Sequence, residues 1–153
     1  MRYPGYSVLL TDLYELTMLH GYFRQGMNGR AAFELFLHKR PDNRNFLIAA
    51  GLEQALDYLE SFSFSDDECD WLAQTNRFDR EFIDSLRTMK FTGDVYALPE
   101  GTLFFEKEPL IRIEAPLPEA RQSPGNKAGV LQDNWRQNPS ISNPFLMCSV
   151  AKV

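Results

Sequence analysis

The hydrophobic pattern of this chain changes period four times, and that succession limits the folds open to it. Helical spacing comes first, over Thr11 to Gln25, with Gly26 placed to end the helix in a left-handed conformation. Strict alternation follows from Ala31 to His38, where Phe33, Leu35 and Leu37 share one face and Glu34, Phe36 and His38 the other. Pro41-Asp42-Asn43 reads as a turn, and Asn45 to Ala49 as a short second strand. Helical spacing returns over Gly51 to Ser61, with Leu52, Ala55, Leu56 and Leu59 facing the core. Ser65 and Glu68 form a capping-box pair that should start a helix carrying Trp71 and Leu72 inward. Asp79 should cap the next helix, whose apolar face is Phe82, Ile83, Leu86 and Met89. Beyond Gly93 the pattern turns to strands at Asp94–Leu98, Thr102–Glu106 and Leu110–Ala115, separated by turns at Pro99-Glu100-Gly101 and at residues 106–109. Helix, strands, helices, strands is an α+β order, with a mixed or antiparallel sheet, and not a βαβ alternation.

From Arg121 onward no period is visible. Pro124, Gly125, Gly129, Pro139 and Pro144 are scattered among Asn, Gln and Ser, which predicts an irregular segment. Charge changes at the same place. Residues 1–120 hold 12 Lys and Arg against 20 Asp and Glu, whereas residues 121–153 hold 4 against 1. The expected division is therefore a patterned domain over 1–120 and a tail over 121–153 with a different history.

With 153 residues, 44% of them hydrophobic, the chain can bury one ordinary core. Its net charge of −5 argues against a nucleic-acid surface, which needs a concentrated basic face. Two cysteines, Cys69 and Cys148, give neither a disulfide framework nor a zinc cluster and suit a reducing compartment. No apolar run approaches the roughly 20 residues that span a bilayer, and no leader pattern opens the chain. A cytoplasmic location is the expectation.

The first helix carries the most pointed chemistry. Thr11 can cap it, and Asp12 puts a carboxylate in the first turn, where the helix dipole favours negative charge. Leu13, Leu16 and Phe23 fall on one side, while Tyr14 lies about 100° round the helix from Leu13. Tyr14 can thus offer a flat stacking surface with a hydrogen-bonding edge.

The blocks LLTDLYELTM at 9–18, GYFRQGM at 21–27, FELFLHKRPDNRNFLIAAGLEQALDYLE at 33–60 and FTGDVYALPEGTLFFEKEPLIRIEAPLPEA at 91–120 resemble the N-terminal part of a nicotinate phosphoribosyltransferase, in the family's order. The resemblance covers about residues 7–120 and stops there. In that family the N-terminal domain is followed by a large α/β barrel, which nothing in this sequence matches. The chain is therefore expected to be a truncated form of a longer enzyme, with residues 121–153 as non-family or out-of-frame sequence.

By that resemblance, Tyr14 would reach from one subunit into the active site of its dimer partner and lie against the nicotinate ring, and Asp12 would help position the substrate. The family's reaction joins nicotinate to phosphoribosyl pyrophosphate and is driven by ATP hydrolysis with Mg²⁺. Its phosphorylated histidine belongs to the barrel, so His20 and His38 are expected to be structural or surface residues. No catalytic residue and no metal ligand are assigned in this chain. A homodimer or higher oligomer is expected, because surface meant for the barrel would be exposed.

Other features weigh less. Lys39, Arg40 and Arg44 around the 41–43 turn suit phosphate or carboxylate, but read more simply as a solvated group at a strand end. Phe33, Phe36, Phe46, Phe104 and Phe105 are expected in the core or an interface. Gly51 could turn backbone amides toward an anion. There is no GxxxxGK[ST], GxGxxG, HExxH or CxxC. Two other readings stand beside the enzyme fragment: a non-catalytic module that binds itself or a partner, and a sister enzyme acting on nicotinamide.

Overall fold

The computed structural model describes residues 7–9, 11–39 and 45–122 with their side chains, and 146–151 as backbone. The chain runs α1 (Leu13–Gln25), β1 (Arg30–Leu37), β2 (Leu47–Ile48), α2 (Leu52–Glu60), α3 (Asp66–Gln74) and α4 (Arg80–Thr88). Then come β3 (Asp94–Ala97), β4 (Leu103–Phe104), β5 (Pro109–Pro116), α5 (Leu117–Arg121) and β6 (Leu146–Ala151). This is the expected α+β fold, and its two sheets are antiparallel throughout, one of four strands in the order β3-β5-β1-β6 and one of two, β2-β4.

The alternation read from residues 31–38 sets the main sheet. Ala31, Phe33, Leu35 and Leu37 are all buried, and Phe33 pairs with Ile113 and Leu35 with Ile111 across the β1–β5 ladder. A one-residue slip would turn every one of these side chains to solvent, so the pattern specifies the register. The 41–43 turn, with Arg40 and Arg44, lies outside the described residues. β6 pairs with β1 along its other edge, so the expectation of an irregular tail fails over Leu146–Ala151.

Four helix details differ from the sequence expectation. Asp12, not Thr11, is the N-cap of α1, and Asp12 makes no side-chain capping bond. Leu16 and Leu19 are the buried residues of α1, while Leu13 is 47% exposed. In α2 the inward residues are Ala55, Tyr58 and Leu59, and Leu56 is exposed. In α3, Cys69 and Leu72 point inward, three apart, and Trp71 is 57% exposed. Cys69 and Leu72 share one face of α3, and Trp71, about 100° round the helix from Leu72, falls outside that face. Gly26 ends α1 at φ 63°, as its position predicted.

Ser65 and Glu68 form the predicted capping box: the Glu68 N–H donates to Ser65 Oγ at 3.2 Å, and the Ser65 N–H donates to Glu68 Oε2 at 2.8 Å. The Ser7 hydroxyl donates to the other Glu68 oxygen. Burial pushes the Glu68 carboxyl up, but these bonds outweigh it and hold its pKa below the usual carboxylate value. A carboxyl depressed on folding stabilises the fold above its unfolded pKa, and that contribution is lost as pH falls through the folded pKa. Glu68→Ala is expected to cost about 1 kcal/mol at neutral pH and to make the acid side of the stability profile shallower. Urea midpoints measured from neutral to acid pH check both; an unchanged acid slope would contradict the assignment.

Candidate functional site

α5 is a five-residue helix that packs on α1, β1 and β5 at once. It ends in Arg121, only 8% exposed, whose guanidinium reaches back to the start of α1. Arg121 Nε donates to Glu15 Oε2 at 2.6 Å, and Nη2 donates to Glu15 Oε1 at 3.3 Å and to the Tyr14 hydroxyl oxygen at 2.9 Å. The guanidinium carbon also sits 5.3 Å from the Tyr14 ring centroid, within cation–π range. Burial works against the charged guanidinium, but Glu15 and the Tyr14 hydroxyl outweigh it and raise its pKa above the usual arginine value. Tyr14 as a residue nonetheless stays 58% exposed, anchored at its hydroxyl edge.

Two of the residues that the sequence singled out lie exposed at the start of α1: Tyr14, and two residues before it Asp12, the N-cap, which makes no capping bond. The far end of α1 is held by other contacts. Asp79, the N-cap of α4, does not cap with its side chain; its Oδ2 accepts from Arg24 Nε at 2.8 Å and lies 2.8 Å from His20 Nε2. The His20 ring packs at 4.8 Å on Phe82 and 5.6 Å on Phe78. His20 therefore joins α1 to α4, and His38 is exposed just past β1.

Gly51, at φ 97°, does turn its amide toward an anion, but the anion is internal. Glu100 Oε1 accepts from the Gly51 N–H at 2.8 Å and the Leu52 N–H at 2.7 Å, so α2 starts on a carboxylate of its own chain. Three other carboxylates, Asp66, Asp70 and Asp84, gather around the cation of Arg87. Among the described residues no three His, Cys, Asp or Glu side chains form a group that could hold a metal ion. No helix among the described residues is long and apolar enough to cross a membrane.

A family profile described as the nicotinate phosphoribosyltransferase (NAPRTase) N-terminal domain matches residues 9–122, from just before Asp12 to just after Arg121. The chain belongs to that family. It is 42% identical over 115 residues to a nicotinate phosphoribosyltransferase of Mycobacterium tuberculosis, covering 75% of this chain and 25% of the relative. Over 114 residues it is also 42% identical to the nicotinate phosphoribosyltransferase of Bacillus subtilis, covering 74% and 23%. The crystal structure of human nicotinic acid phosphoribosyltransferase superposes with a TM-score of 0.70 at 35% identity, over 80% of this chain and 25% of that one. The chain thus spans about a quarter of the length of these relatives.

Arg121 and Glu15 escaped the sequence reading. A signal for α5 was available: Pro118 in the first turn and Glu119 beside it is a helix-opening pattern. Nothing local could say that this helix ends against Tyr14, 107 positions earlier.

Proposed function

We propose that this chain carries the nicotinate-stacking face of a nicotinate phosphoribosyltransferase, with Tyr14 as the stacking ring and Asp12 beside it to orient the substrate. The supporting observation is the exposed, edge-anchored Tyr14 ring inside a segment that matches the family from residue 9 to 122. In the family's reaction the pyridine nitrogen attacks the anomeric carbon of phosphoribosyl pyrophosphate as pyrophosphate leaves, and positive charge develops on the ribose. A flat ring held against an ordered aromatic surface meets the orientation requirement of that step. The leaving pyrophosphate, its Mg²⁺ and the ATP-coupled phosphohistidine need groups that the described residues do not supply. The pocket is accordingly shared with further family sequence in a dimer partner, in the cytoplasm, and the residues beyond 122, where the family match ends, are a segment of separate origin.

Purified chain supplied with nicotinate, phosphoribosyl pyrophosphate, ATP and Mg²⁺ is expected to form no nicotinate mononucleotide. Sustained turnover would overturn the shared-pocket reading. A second reading, a self-associating or partner-binding module, draws on the outer face of the β2–β4 ribbon. Ile48 and Leu103 pair across it with Phe46 and Phe105 beside them, and all four are at least half exposed. An apolar face of that kind favours association.

A further inference from the structure

We propose that Arg121 is a positioning residue for the Tyr14 ring, holding it in the attitude in which it receives an aromatic acid. The inference rests on the reading of Tyr14 as the stacking residue and adds what sets its geometry. An exposed tyrosine at a helix start can turn about two side-chain torsions, and ordering it at the moment of binding costs affinity. Here both freedoms are restrained before any ligand arrives. The bond from Nη2 to the phenol oxygen holds the far edge of the ring. The guanidinium over the ring restrains its plane. Arg121 is in turn held by the two-bond pairing with Glu15, one residue along the same helix, so the anchor and the ring share one frame.

A purely structural role would explain the Arg121–Glu15 pair but would not require the guanidinium to engage Tyr14 as well. The bond to the hydroxyl and the placement over the ring single out that side chain. Because Tyr14 is still 58% exposed, its orientation is set without its being covered. An aromatic acid suits such a site, because the exposed ring offers a stacking surface and the Arg121 guanidinium over it supplies a positive charge toward which a carboxylate can turn.

The test uses the full chain with carbon-labelled tyrosine rings, the Tyr14 signals being assigned by their loss in Tyr14→Phe. Breaking the pair by Arg121→Gln alone would strand Glu15, so the variant to compare is the neutral double change Arg121→Gln with Glu15→Gln. Amide spectra away from α1 and α5 serve as the check on folding. The expected result is that the Tyr14 ring signals move toward averaged positions while the remaining tyrosine rings stay put. Nicotinate is then expected to saturate the Tyr14 shift at about fivefold higher concentration than in the unchanged chain, with Arg121→Lys in between. Unchanged Tyr14 ring signals in the double variant overturn the positioning role. The ring-order comparison needs no ligand, so it decides by itself whether Arg121 orders Tyr14.

Discussion

Replacing Phe82 with alanine is expected to lower the stability of the domain by about 3–5 kcal/mol, the usual range for a buried aromatic truncated in a core. Among the described residues Phe82 of α4 packs against three aromatic rings, two of them on α1. Its centroid is 4.8 Å from His20 and 5.6 Å from both Phe23 and Phe78, and the residue is 1% exposed. It also walls one side of a cleft of about 420 Å³ between α1, α4 and α5, together with Leu19, Phe23, Met89 and Pro118. Deleting the ring would remove its three aromatic contacts and open the lost volume into that cleft. A domain of this size has about 5–15 kcal/mol in total, so the loss is a large fraction of it. The thermal midpoint should drop by roughly 10 °C, read by circular dichroism, and α1 should lose hydrogen-exchange protection with it. A midpoint shifted by only a degree or two would show that α1 is held to the core by some other contact.

That dependence on Phe82 was visible in the sequence, because Phe82, Ile83 and Leu86 share one face of a helix whose capping residue is also plain. What could not be read was the direction of the Asp79 carboxylate, which leaves its own helix for His20 and Arg24. The strands were legible where one face is buried and the other solvated, as in β1. Helix faces were less so: in α2 the choice between Leu56 and Tyr58 turns on which neighbour lies beneath, and periodicity alone does not say. Tyr58 is buried, with its hydroxyl donating to the Gln122 carbonyl at 3.3 Å, and burial pushes its pKa upward. Gln122 is itself almost fully buried with its side-chain amide unpaired, against the rule that buried polar groups are satisfied.

The candidate site divides the same way. Tyr14 and Asp12 were singled out by the family resemblance of the 9–18 block, periodicity adding only that Tyr14 lies about 100° round the helix from Leu13. Arg121 was not, because its composition placed it with a tail that carries no period. Its role comes from a tertiary contact that only the packing of α5 on α1 creates. β6 was hidden for a related reason: six residues without clean alternation give a weak strand signal, and pairing with β1 supplies the order.

Gly93 carries the second large effect. Alanine there is expected to cost about 3 kcal/mol, at the upper end for an overpacked core position. The reason is space: an added Cβ would lie 2.4 Å from Ala115 Cβ, 2.7 Å from the Glu114 carbonyl oxygen and 2.9 Å from Phe91 Cζ. Phe91 can swing aside, but the other two atoms belong to β5. In that strand Glu114 is paired with Ala32 of β1 on one side and Asp94 of β3 on the other, and Ala115 is fully buried. Moving β5 would therefore strain two ladders, so the new methyl group must instead lift the start of β3 away from the sheet. Amide exchange should rise across β3 while β1 keeps its protection. Gly21, in the middle of α1 with nothing within 4 Å of an added Cβ, is the matched control. There alanine should stabilise by up to about 1 kcal/mol through helix propensity alone. Equal effects at the two glycines would mean that the β3–β5 approach does not limit what position 93 can hold.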